Sequence, residues 1–187
     1  VYMSEDRPIV LIVDDEVNIT ELFSAWLESA YDVRTANGGE EALEHLDGSV
    51  DVVLLDRRMP GLSGDEVLDV IREEGFDCRV AMVTAVEPDF DVIEMGFDDY
   101  LTKPINREDL EEVIESLLTR KEYDDRMQEY FALASKKATL EAAKPSSELE
   151  ASDEYQTLES EVDDLEDDLA ETLQTDEDFQ SAFQDLD

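Results

Sequence analysis

The first 105 residues switch repeatedly between two hydrophobic periods, and few folds accept that alternation. Short apolar runs rich in β-branched residues occur at Ile9–Val13, Asp32–Ala36, Val52–Leu55, Arg79–Thr84 and Asp99–Thr102. Helical patterns lie between them, at Val17–Ala30, Gly39–Leu46, Asp65–Glu73 and Asp89–Met95. Strands that alternate with helices imply βαβ crossovers and a parallel sheet covered on both faces. The runs "IVLIV" and "VVLL" are continuous rather than alternating, as expected of central strands buried on both sides. The expected fold class is α/β.

A fifth helix is expected from Asn106, just past Pro104. No Gly or Pro interrupts residues 106–144, so this helix is expected to continue into a further arm. "KPSSELEASDE" then reads as a turn. After it, Tyr155, Leu158, Val162, Leu165, Leu169 and Leu173 form a near-heptad seam. The expectation is a domain over 1–118, followed over 119–187 by an α-helical antiparallel coiled-coil hairpin. A last segment has a cap-like Thr175 and places Phe179, Phe183 and Leu186 on one face, suited to folding back or binding a partner.

Charge is spread unevenly. Residues 1–118 hold 31 acids and 8 bases, residues 119–144 hold 5 and 6, and residues 145–187 hold 17 acids with no Lys or Arg. Only 5 of the 14 bases are lysine. An acid excess that includes the folded-looking segment suits a halophilic protein, because molar salt shortens the screening length to about 3 Å. The basic residues Arg120, Lys121, Arg126, Lys136, Lys137 and Lys144 are expected to face the acidic arm across the hairpin. No apolar stretch is long enough to span a bilayer. The start lacks a signal-peptide pattern and Cys78 is the single cysteine, so a cytoplasmic location is expected. His45 has no second histidine or cysteine near it, which argues against zinc.

The chemistry gathers at strand ends. Asp14 and Asp15 follow the first strand and Asp56 follows the third. In the flavodoxin-like doubly wound order 2-1-3-4-5 the switch point lies between those two strands, and ligands bind beyond it. Three converging carboxylates need a cation, and all-oxygen ligation favours Mg2+. Thr84 ends the fourth strand and Lys103 follows the fifth. A hydroxyl and an ammonium beside such a cluster suit an incoming phosphoryl group. Asp56 would then be the nucleophile that forms an acyl phosphate.

"VDDE", "LLDRRMPGLSG", "MVTA" and "YLTKP", each at a strand end and in this order, resemble the receiver domain of two-component response regulators over residues 8 to about 118. The resemblance implies that Asp56 accepts phosphate from a sensor histidine kinase in a phosphorelay. It implies that Asp15 binds Mg2+ directly, Asp14 mostly through water, and Arg58 through its backbone carbonyl. Thr84 and Tyr100 match the pair that rearranges on phosphorylation, and Lys103 matches the family's lysine, with a cis bond to Pro104. One departure is a short stretch between Thr84 and Lys103. It implies a stunted fourth helix and puts in doubt the family's dimer face of helix 4, strand 5 and helix 5. The helical remainder and the composition resemble haloarchaeal regulators with a HalX domain.

Plainer readings stand beside these. Arg57 and Arg58 read most simply as loop charges; the sharper alternative is that Arg58 influences water reaching the acyl phosphate. Tyr100 could be an ordinary aromatic. Trp26, with Leu22 and Phe23, reads as core, while His45 and Cys78 read as structural. A phosphohydrolase of the haloacid-dehalogenase type would need an acid two residues after the nucleophile, where this chain has Arg58. A dinucleotide enzyme would need a glycine-rich turn in place of "VDDE". DNA binding through the C-terminal helices is disfavoured, because no helix-turn-helix pattern is visible and the acidic arm would repel phosphates. The favoured reading is a signalling protein, not an enzyme beyond its own phosphotransfer and dephosphorylation. Its hairpin would engage an output protein or a second copy.

Overall fold

The computed structural model describes residues 7–120 and 125–172. Five parallel strands, β1 (Ile9–Val13), β2 (Asp32–Ala36), β3 (Val52–Leu55), β4 (Arg79–Thr84) and β5 (Asp99–Thr102), form one sheet in the order 2-1-3-4-5. The five strand ranges coincide with those expected from the sequence. Helices α1 (Val17–Leu27), α2 (Gly39–His45), α3 (Gly64–Glu73) and α4 (Arg107–Arg120) complete the doubly wound part.

Because side chains alternate across a strand, the sheet has two separate cores. On one face Val10, Ile12, Val52, Leu54, Ala81 and Val83 meet Phe23 and Leu27 of α1 and Leu110, Ile114 and Leu117 of α4. The burial stripe of α1 runs through Thr20, Phe23 and Leu27. Leu22 falls off that stripe and is 43% exposed, and Trp26 is only partly buried, stacked on Phe23. The expectation that all three aromatic and aliphatic side chains sit in the core therefore holds for Phe23 alone.

The other face is covered in an unequal way. Residues of α2 and α3 bury Val13, Val53 and Leu55. α3 starts with a reciprocal cap: Ser63 Oγ accepts from the Glu66 amide at 3.2 Å, and the Glu66 carboxylate accepts from the Ser63 amide at 3.0 Å. Beyond β4, however, the helical pattern over Asp89–Met95 forms only a 3-10 turn, Phe90–Glu94, the stunted fourth helix that the short stretch between Thr84 and Lys103 implied. The place beside β5 is taken by α5 (Asp125–Ala143), which packs Met127, Tyr130 and Phe131 into the same core as Phe97 and Tyr100.

α5 continues through Lys144 into a short α6 (Ser146–Glu150), where the sequence suggested only a turn, and then α7 (Asp153–Thr172). α5 and α7 run antiparallel: Arg126 pairs with Asp168 near one end, and the Tyr155 hydroxyl donates to Glu141 at 2.7 Å near the other. Along the α7 seam Tyr155, Leu158, Val162 and Leu169 are buried and Leu165 is partly buried. The seam meets the 3-10 turn as well as α5, so the pair is packed onto the sheet and does not stand apart as an isolated two-helix coil.

The basic arm does not simply face the acidic one. Arg126 does, but Lys136 Nζ donates to the Ile93 carbonyl at 3.0 Å, and Lys144 pairs with Asp89 at 3.1 Å and lies over the Phe90 ring. Ser135 Oγ donates to Asp99 at 3.0 Å. These contacts tie the helical pair to the sheet domain. The expected continuity of the fifth helix falls on residues 121–124, outside the described residues, as do Lys121, Leu173, Thr175, Phe179, Phe183 and Leu186. On either side of that gap, α4 and α5 pack on opposite faces of the sheet. Among the described residues, no helix is long and apolar enough to cross a membrane.

Candidate functional site

Each site residue is placed by a strand end. The Asp14 amide, directly after β1, donates to the Ala36 carbonyl at 3.1 Å, and the Asp56 amide, directly after β3, donates to the Val13 carbonyl at 3.0 Å. These ladder bonds set the two acids side by side across the switch point. One oxygen each of Asp14, Asp15 and Asp56 lies within 4.8 Å of the others; Asp14 and Asp56 are buried and Asp15 is exposed. This is the one such acid cluster among the described residues. Three carboxylates at this range, one open to solvent, make a donor set that fits a hard divalent ion keeping several waters.

Lys103 joins them from the far strand. Its amide donates to the Thr84 carbonyl at 2.8 Å, which holds it beside the end of β4, and the bond to Pro104 is cis. Nζ lies 2.5 Å from Asp14 Oδ2 and 3.5 Å from Asp56 Oδ2. Burial pulls the ammonium's pKa down, but the hydrogen bond to Asp14 and the charges of both acids outweigh it, so Lys103 titrates above its ordinary value. Burial pushes the Asp14 carboxyl up, against the opposing hydrogen bonds from Lys103 and the Glu16 amide. A charge-assisted bond this short holds Lys103 ready beside Asp56.

Thr84 is buried, and its hydroxyl oxygen accepts from the Val86 amide at 3.3 Å. The Val86 carbonyl in turn accepts from the Tyr100 hydroxyl at 2.6 Å. One short segment therefore links Thr84 to Tyr100, which is buried against Phe97. Burial raises the Tyr100 pKa, so the phenol stays a neutral donor.

The sequence reading missed two residues. Asn37 donates to the Asp14 carbonyl at 3.2 Å and to Thr20 Oγ1 at 3.0 Å, fixing the loop that carries both acids. Arg57, read as a loop charge, is 8% exposed. Its Nε and Nη2 each lie 3.0 Å from the two oxygens of Asp65, Nη2 lies 2.6 Å from Asp91, and Nη1 lies 3.5 Å from the Tyr100 hydroxyl. The Asp65 hydrogen bonds raise its pKa far above the ordinary arginine value. A buried guanidinium needs such partners, and they lie 8, 34 and 43 residues away, where no local pattern shows them. Arg58 is exposed, as a loop charge would be. Gly64 completes the site: its amide donates to the Arg57 carbonyl at 2.8 Å, and any Cβ there would meet the Asp56 carbonyl.

Residues 10–115 match the response regulator receiver domain and residues 119–183 match the HalX domain. A "Putative transcriptional regulator" of Haloferax volcanii is 53% identical over 135 residues, 72% of this chain but 23% of that protein. The "Transcriptional regulatory protein CpxR homolog" of Haemophilus influenzae is 44% identical over 115 residues, 59% of this chain and 50% of that protein. This chain thus spans half or less of the length of these relatives. The crystal structure of the response regulator TrrA of Thermotoga maritima in complex with Mg(2+)-BeF is 39% identical, with a TM-score of 0.53 over 59% of this chain and 99% of that one.

Proposed function

Since the chain belongs to the two-component response regulators, with a receiver domain followed by a HalX domain, we propose that Asp56 is its phosphoacceptor and a sensor histidine kinase its donor. The observation that carries this is the convergence of Asp14, Asp15 and Asp56 within 4.8 Å, with the Lys103 ammonium between two of them. An Asp56 carboxylate oxygen attacks phosphorus in line with the P–N bond of the donor phosphohistidine. That bond breaks, its electron pair stays on the imidazole nitrogen, and the imidazole leaves. The Lys103 ammonium moves from Asp14 towards the transferred phosphoryl oxygens, and the Thr84 hydroxyl turns to donate to them. Moving Thr84 pulls on residues 84–86 and so on the Tyr100 hydroxyl bonded to Val86.

Asp14, Asp15, Asp56 and the Arg58 backbone carbonyl would hold Mg2+. When bound, Mg2+ offsets the negative charge that accumulates on the phosphoryl oxygens. The chain's chemistry is confined to this transfer and to hydrolysis of its own acyl phosphate. The docked α5–α7 pair is the output, engaging another protein or a second copy.

Two relatives are named as transcriptional regulators, which suggests a second reading, direct DNA binding. The local charge opposes it. Among the basic residues described in the helical pair, Arg126 is committed to Asp168, Lys136 and Lys144 to the receiver, and Lys137 lies near Glu141. The exposed face of α7 presents Asp163, Asp164, Asp167 and Asp168, which would repel a phosphate backbone.

Incubation with a small phosphodonor and Mg2+ in molar KCl, followed by intact mass, tests the assignment. One phosphoryl group is expected on the wild type and none on Asp56→Asn. Equal labelling of both would overturn it.

A further inference from the structure

The helical pair rests on the 3-10 turn Phe90–Glu94: Lys136 holds the Ile93 carbonyl, Lys144 holds Asp89 and lies over Phe90, and α7 packs on the same turn. On its other side that turn is held by one guanidinium, since Asp91 accepts from Arg57 Nη2 at 2.6 Å. Arg57 follows the acceptor directly in the chain, is 8% exposed, and also grips Asp65 on α3 and reaches the Tyr100 hydroxyl. A bidentate fork on Asp65 fixes the plane of the guanidinium and leaves the remaining directions for Asp91 and Tyr100. Arg57 is the next residue after Asp56, so a displacement of the Asp56 backbone would act on a side chain bonded at once to α3 and to the turn. A lysine could not do this, because its three donors sit on one nitrogen, which cannot form the planar two-nitrogen fork on Asp65 and also reach both Asp91 and Tyr100.

We propose that Arg57 is a positioning residue that transmits the state of Asp56 to the docked helical pair through its clamp on Asp91. The proposal rests on Asp56 being the acceptor. It assigns to Arg57 a coupling role distinct from the Thr84–Tyr100 link, with the 3-10 turn as the receiving element and α5 and α7 as the elements it moves.

The test is hydrogen exchange by mass spectrometry on the full chain in molar KCl with Mg2+, with and without beryllofluoride as a phosphoryl mimic. Three chains are compared: wild type, Asp91→Ala and Arg57→Ala. Both Asp65 and Asp91 are part-exposed, and Asp91→Ala removes the acceptor on the turn while the two bonds from Arg57 to Asp65 stay in place, which keeps the test valid whatever Arg57→Ala does to folding. In the wild type, beryllofluoride is expected to protect the segments around Asp14 and Asp56 and to change exchange in 87–95, α5 and α7. In Asp91→Ala the first effect is expected to persist at the same beryllofluoride midpoint, while the change in α5 and α7 is lost. A merely structural role would move baseline exchange and leave the beryllofluoride response intact, and that result overturns the proposal. So does wild-type protection at Asp56 with no response in the helical pair. Absence of any protection around Asp14 and Asp56 in the wild type would instead overturn the acceptor assignment, and the coupling with it.

Discussion

Gly64→Ala places one methyl group where the acceptor's backbone already is. The added Cβ would lie 1.8 Å from the Asp56 carbonyl oxygen, 2.7 Å from its carbonyl carbon and 2.9 Å from Arg57 Cα. All three are backbone atoms, so no side-chain rotation relieves the contact. Reaching a 3.0 Å separation from the nearest atom requires a shift of about 1.2 Å in α3 or in the loop after β3. That shift also stretches the 2.8 Å bond from the Gly64 amide to the Arg57 carbonyl. Overpacking of this kind costs roughly 1–3 kcal/mol and the weakened hydrogen bond about 1 kcal/mol, for a loss near 3 kcal/mol. For a chain of this length that corresponds to a melting point lower by about 6–12 °C. A displacement of order 1 Å at the nucleophile should also slow phosphoryl incorporation on the order of 100-fold. The control is Gly48→Ala, where a Cβ meets nothing within 4 Å. Thermal unfolding by circular dichroism and timed phosphodonor labelling, both in molar KCl, read the two effects. If Gly64→Ala melts with Gly48→Ala and labels at the wild-type rate, the close approach of α3 to the acceptor is not what the distances say.

Other expectations follow from the docked helices. Burial lowers the pKa of Lys136 below its ordinary 10.5, against the opposing charges of Asp98 and Glu161. The unfolded chain therefore binds the proton more tightly, so stability rises with pH between the folded and unfolded values. The wild type should gain on Lys136→Met in urea unfolding as pH approaches 10.5, and a constant gap would refute this. In α7 the like-charge pairs Glu159–Asp163, Asp163–Asp167 and Asp164–Asp168 each disfavour helix by a few tenths of a kcal/mol at low salt. Dilution from molar KCl to about 0.1 M lengthens the screening distance from about 3 Å to about 10 Å, so the repulsion is felt and helical circular dichroism should fall. An unchanged spectrum would sink that reading.

The sheet was legible because buried parallel strands carry continuous apolar runs that end at a single polar residue. The acids after Val13 and Leu55, Thr84 at the end of its strand and Lys103 after its own were therefore visible together with the strands that aim them. Arg57 was hidden by that same local view, since what fixes it is contributed by α3, the 3-10 turn and β5. The docking of α5 was missed for a different reason. A heptad seam on α7 pointed to one partner. α5 carries Met127, Tyr130, Phe131, Leu133 and Leu140, a stripe too broad for one helix to cover, and the width of that stripe was the available signal of a second surface. The helix before β5 is stunted to one 3-10 turn, as the short stretch between Thr84 and Lys103 implied, because residues 85–98 must run from the end of β4 back to the start of the parallel β5 within a short span.

α5 lies where the connection before β5 supplies no full helix, and it roofs Phe97 and Tyr100. The helical pair is thus both the part that would speak to the outside and part of the wall of the chamber it reports on. Sequence families divide the chain near residue 118, but the folded state shares its masonry across that line. Exchanging α5 and α7 for other helices would also mean rebuilding one side of the receiver, so if the pair is the proposed output, a change of message and a change of fold stability come together.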